Sequence, residues 1–200
     1  LEPWRIKASE AYLLLRAGTL MTARPHTSLL KRFLSAVSER SVQPVDNVRV
    51  DLRGAFCEQP PLALIRTLEK AGCDVVDDDF MLGLSTLNTP ISETLPPLDA
   101  LVQAFLFQGK PSACRYIDKA SKGEELLQVV QNTQADGVIF AAASFCDPAL
   151  LDQPMLETLL EKAHIPFTSF KFSENTGQFQ VIREQAGAFS DSVKLWGAAV

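Results

Sequence analysis

The sequence predicts an α/β fold with a mostly parallel sheet, preceded by a helical connector, and three observations predict it. Gly137-Val138-Ile139-Phe140 is a short apolar run with β-branched residues, the pattern of a strand covered on both faces. Val48–Leu52 alternates like a strand and is followed by a helix pattern and a second short strand at 74–77, which makes a β-α-β unit. Beyond residue 124 helix and strand patterns alternate to the end of the chain, the order that parallel sheets require.

The elements follow in order. Across residues 8–40 the apolar side chains, among them Ala11, Leu14, Leu15, Leu29, Phe33 and Val37, fall near helical spacing. Pro25 is expected to break or kink this run, because proline lacks the N–H of a helix interior and crowds the preceding turn. From Ser28 to Glu39 the pattern is amphipathic, with Lys31, Arg32, Ser35 and Glu39 outside. Residues 1–46 therefore read as a helical connector or appendage and residues 47–200 as the α/β domain. Pro60 and Pro61 open a helix whose apolar face is Leu62, Leu64, Ile65 and Leu68, and Gly72 closes it as a C-terminal cap. Asp77-Asp78-Asp79 ends the second strand; these acids read as caps of the following turn or as metal-site candidates. Loops at 81–94 and 109–115 flank a helix at about 97–107, and Cys114 beside Arg115 in the second loop is either a thiol favoured as thiolate or an incidental one. A helix at 124–134, the strand at 137, a helix at 149–163, a strand at 165–172 and a helix at 177–196 complete the chain.

Composition bounds the function. With 46% apolar and 22% charged residues the chain is an ordinary globular one, and its net charge of −5, with Lys and Arg scattered, excludes a nucleic-acid footprint or a polybasic membrane patch. No apolar run approaches a membrane span, the opening LEPWRIKASE lacks a secretory pattern, and the start on Leu1 reads as that of a fragment. Cys57, Cys73, Cys114 and Cys146 are far apart with no CxxC pair. That spacing fits a reducing cytoplasm and excludes zinc ribbons and the contiguous ferredoxin run. His26 and His164 have no acid or nucleophile at matching positions, and no glycine-rich phosphate loop is present.

The stretch that carries chemistry is Ala141–Pro148, AAASFCDP. Asp147 is expected to cap a helix with Pro148 at its first position, so Cys146 stands where a strand hands over to a helix. In open α/β sheets ligands bind at that edge, and a helix N-terminus favours the thiolate. The alternative is a small buried hydrophobe. Ala55-Phe56-Cys57-Glu58 echoes the motif after the first strand, as a repeat or by shared composition.

GAFCEQPPLALIRTLEKAGCDVVDDDF, ADGVIFAAASFCDP and QFQVIREQAGAFSDSVKLWG together resemble the C-terminal half of a catalytic subunit of the benzoyl-CoA reductase and 2-hydroxyacyl-CoA dehydratase family, with the last stretch leaning toward the reductase branch. The resemblance covers about Val48 to Gly197. It implies a Rossmann-like three-layer domain whose N-terminal partner domain is absent here, and a [4Fe–4S] cluster held by three cysteines. Two come from that other domain and one from the Phe-Cys-Asp-Pro motif, which is Cys146. Cys57 and Cys114 match none of the family's ligands and rank second as residues facing the same cleft. The resemblance also implies a homologous catalytic subunit, a separate ATP-hydrolysing activator and an aromatic or 2-hydroxyacyl CoA thioester as substrate. One-electron addition to such a thioester makes a high-energy ketyl radical, so the donor needs a very low potential, which thiolate ligation in a dry pocket favours. The expected activity is ATP-driven dearomatisation of benzoyl-CoA by the whole complex, with the fragment inactive alone. A dehydratase subunit and a scaffold domain without a cluster are the alternatives.

Overall fold

The computed structural model describes residues 2–54, 59–80, 90–108, 122–173 and 179–196. Among these, four strands, β1 (Val48–Arg53), β2 (Cys73–Asp78), β3 (Gly137–Ala143) and β4 (Phe167–Phe172), form one sheet in the order β2-β1-β3-β4. Every pairing is parallel. The helices are α1 (Ala8–Ala17), α2 (Ala23–Ser38), α3 (Leu62–Lys70), α4 (Pro97–Phe107), α5 (Lys122–Thr133), α6 (Asp147–Lys162) and α7 (Phe179–Trp196).

The three layers follow from side-chain alternation. Val48, Val50 and Leu52 of β1, with Ile139 and Ala141 of β3, pack against Leu64, Ile65 and Leu68 of α3 and Ile182, Ala186 and Phe189 of α7. On the opposite face Val138 and Phe140 meet Leu126 and Val130 of α5 and Leu160 of α6. β3 is thus covered on both faces, which is why its sequence runs apolar without alternation. The architecture is the expected Rossmann-like three-layer α/β domain.

The first helical run is broken earlier than the proline suggests. α1 ends at Ala17, and the His26 ring lies so close over Gly18 that a Cβ there would come within 2.5 Å of its Cε1. His26 Nε2 is also 2.8 Å from the Leu14 carbonyl, so the gap between the helices is a docked turn. Pro25 is the third residue of α2, where its missing N–H has no intrahelical partner to lose. α1 reaches into the core: Tyr12 packs edge-on against Phe80, its hydroxyl donates to the Pro60 carbonyl, and Ser9 donates through N and Oγ to Glu69 at 2.8 and 2.9 Å.

Gly72 caps α3 as expected, with φ of +84°. One irregularity has no signature in the sequence. The pairing of β1 with β2 runs Val50 with Val75 and then Asp51 with Asp77, so Val76 is an extra residue on β2. α4 buries only Ala100 and Ala104, while Leu98, Leu101 and Phe105 are exposed.

Candidate functional site

The sheet order places a crevice. From β1 the chain passes to β2 on one side and later to β3 on the other, so the connections diverge at the carboxyl ends of β1 and β3. Ligands of open α/β sheets bind at such a switch point. One wall of the crevice begins at Arg53 and Gly54, the other at Ala143 to Asp147.

On the β3 side a tight turn delivers Cys146. Ser144 N donates to the Phe172 carbonyl at 2.8 Å, extending the β3–β4 pairing by one residue, and Cys146 N donates to the Ala143 carbonyl at 3.0 Å. The Cys146 carbonyl then accepts from Leu150 N at 3.1 Å, the first bond of α6. Cys146 is therefore the N-cap, with Asp147 the first helical residue and Pro148 the second, one step from the expected Asp147 cap. The turn hydrogen bond fixes this by closing on Cys146, and both of the first two helical positions tolerate a residue without an N–H. The Cys146 side chain is 8% exposed, packs with Ala142 and Ala149 and makes no capping bond to α6.

On the β1 side lies a buried charge network. Asp51 and Arg53 point to the same face of β1 and form a bidentate pair at 2.9 to 3.1 Å. Glu125 of α5 is 3.7 Å from the same guanidinium, and Asp79 accepts the Gly54 N–H through both oxygens, at 3.0 and 3.2 Å. Burial opposes the Arg53 charge, but Asp51, Asp79 and Glu125 outweigh it and raise the Arg53 pKa further. Of the three consecutive acids, Asp78 accepts from Phe80 N and so caps the turn, as expected, while Asp79 ties the end of β2 to the exit of β1. Sequence reasoning does not find this network, although a signal exists: two opposite charges two apart on a strand whose other face is wholly apolar.

Cys73 belongs to the core. Its Sγ approaches the Ala186 carbonyl at 3.9 Å, and burial, reinforced by Asp74 and partly offset by Lys194, pushes its thiol up to about 12. Cys57 and Cys114 lie outside the described residues, and among the described residues no three ligating side chains converge. A cavity of about 460 Å³ lies between Pro3, Ile6, Leu34, Val37 and Val76, apart from Cys146. For an iron–sulfur cluster the donor chemistry fits at one point. Cysteine thiolate is its usual ligand, and Cys146 is the cysteine that lies, buried, at the described carboxyl edge.

The family profile described as 2-hydroxyglutaryl-CoA dehydratase, D-component, matches residues 1–193. The chain belongs to this dehydratase family. Among its members, a benzoyl-CoA reductase subunit of Thauera aromatica is 47% identical over 196 residues, covering 98% of this chain and 51% of that protein. The (R)-phenyllactyl-CoA dehydratase beta subunit of Clostridium sporogenes is 22% identical over 191 residues, 96% of this chain and 50% of the relative. The beta subunit of lactoyl-CoA dehydratase from Anaerotignum propionicum is 23% identical over 188 residues, 94% of this chain and 50% of the relative. Reductase and dehydratase members thus both appear, as the motif resemblance implied. The chain spans about half the length of the curated relatives it matches. Among the described residues no helix is long and apolar enough to cross a membrane.

Proposed function

We propose that this chain is the C-terminal α/β half of a benzoyl-CoA reductase-type subunit. In this reading residues 1–46 join it to the other half, and it contributes one cluster ligand, Cys146, and part of the acyl-CoA cleft. The observation that carries the reading is 47% identity to a benzoyl-CoA reductase subunit along 98% of the chain. The partners are a homologous subunit and an ATP-hydrolysing activator in the reducing cytoplasm. The other two ligands come from the remaining half of the subunit, and Cys57 and Cys114 rank behind Cys146 as further candidates.

Cys146, with ligands from the remaining half, would hold a cluster whose chemistry would be one-electron transfer at low potential. This chain's residues do the rest. The 143–146 turn holds the thiol at the crevice, Ala142 and Ala149 surround it with small apolar groups, and Pro148 removes one N–H from the first turn of α6. Across the crevice Asp79 accepts the Gly54 N–H and so holds the residue that follows β1.

The test is the whole subunit, expressed with its partner, as wild type and Cys146→Ser. Iron per subunit is expected to fall in the variant, and normal iron content would sink the assignment. Turnover of benzoyl-CoA against a 2-hydroxyacyl-CoA by the wild-type complex decides between reductase and dehydratase.

A further inference from the structure

Three non-glycine residues among those described have positive φ: Gln134 at 53°, His164 at 56° and Phe145 at 69°. The first two sit just past the ends of α5 and α6, and the residue after each donates back to the final turn, Ala135 N to the Val130 carbonyl and Ile165 N to the Leu160 carbonyl. A left-handed residue at a helix end is routine. Phe145 ends no helix. It is the third residue of the 143–146 turn, a position where positive φ favours Gly or Asn and where a bulky aromatic is an outlier. Packing within the domain does not explain it either, because Phe145 is 94% exposed. Backbone strain on a large apolar ring held in solvent is a combination that folding alone disfavours.

Phe145 stands at the carboxyl end of β3, at the switch point, and is covalently adjacent to Cys146; the same turn buries the thiol and presents the ring. We infer that Phe145 is a ligand-binding residue whose ring forms one wall of the acyl-CoA cleft and stacks on the planar acyl group of an aromatic thioester. The inference rests on the proposed function and adds to it a determinant of acyl-group selectivity. An apolar ring with no charged group of its own suits a flat apolar acyl group and contributes nothing specific to the phosphates of coenzyme A.

The test uses the full-length subunit in its complex, as wild type, Phe145→Gly and Phe145→Leu, with benzoyl-CoA and free coenzyme A as probes. Glycine takes positive φ without strain, so F145G is expected to keep its iron and to hold or raise its Tm. Its Kd for benzoyl-CoA is expected to weaken about three- to tenfold while its Kd for coenzyme A is unchanged, with F145L between glycine and wild type. Unchanged benzoyl-CoA affinity in F145G overturns the inference. So does a lower Tm or dissociation of the complex in F145G, which would assign the ring to protein packing. A wild-type complex that binds no benzoyl-CoA refutes the proposed function itself, and the inference falls with it.

Discussion

Arg53 reaches back along its own strand and grips the carboxylate of Asp51 through Nε and Nη2, with both side chains buried. Removing one partner of a buried pair leaves an uncompensated charge. Arg53→Met should therefore destabilise the chain by about 3–5 kcal/mol, since Asp51 is fully enclosed and Asp79 and Glu125 also lose their cation. Asp51→Asn should do less harm, because the other two carboxylates still face the guanidinium. Urea unfolding of both variants checks the order, and an Asp51→Asn variant weaker than Arg53→Met contradicts it.

Gly137 begins β3 between Phe189 of α7 and Pro166, the residue before β4. A Cβ there would lie 2.7 Å from Cζ of Phe189 and 2.8 Å from the Pro166 carbonyl oxygen. The ring can turn, but the carbonyl belongs to backbone that hydrogen-bonds Val138 N. Gly137→Ala should lower stability by about 1–3 kcal/mol, the usual penalty of overpacking. A variant that melts at the wild-type temperature would show that β4 yields freely at this point.

Cys73 makes stability depend on alkaline pH. Its thiol titrates at about 12 in the fold against an ordinary value of 9.0, so between those values the unfolded chain has released a proton that the native one retains. Stability conferred by the raised group is complete below about pH 9 and declines above it, by up to roughly 1.4 kcal/mol per pH unit. Replacing Cys73 with Ala should flatten that decline. Denaturation midpoints at pH 8, 9 and 10 test it, and equal slopes in both proteins would assign the decline to other groups.

Cys146 should be separable from folding. Its neighbours Ala142 and Ala149 are small, and Cys146→Ala deletes a single heavy atom from that cluster. The expected destabilisation is about 1 kcal/mol or less. Circular dichroism melting of the variant settles this, and a loss of several degrees would mean that iron content in Cys146 variants reports folding as well as ligation.

The layers were legible in the sequence wherever one local signal decided the matter. The unbroken apolar run at 137–140 marks a doubly covered strand, and Gly72 marks a helix end because few other residues take its φ of +84°. The position of Cys146 at a strand–helix junction was legible for the same reason. What escaped depends on residues far apart in the chain. The ion network brings Asp79 and Glu125 from two distant segments to the Asp51–Arg53 pair of β1, and a polar residue in a strand is ordinarily read as facing water. The break before Pro25 comes from the His26 ring folding back over Gly18, a contact no propensity contains. Phe145 carries no turn signature at all, since its residue type argues against the conformation it adopts.

The extra residue on β2 has a consequence for how this protein can change. A bulge takes up one residue and leaves the pairing on either side of it in place, and Asp77 and Asp78 already lie opposite Asp51 and Leu52. Deleting Val76 would therefore give a regular ladder in which the same residues face each other, and Asp79 would stay beside the Gly54 N–H that it now holds. The pairing of β1 with β3 has no such spare residue, so a deletion inside either strand would turn the rest of it over. At this crevice wall β2 has slack for one lost residue, which its neighbours in the sheet do not.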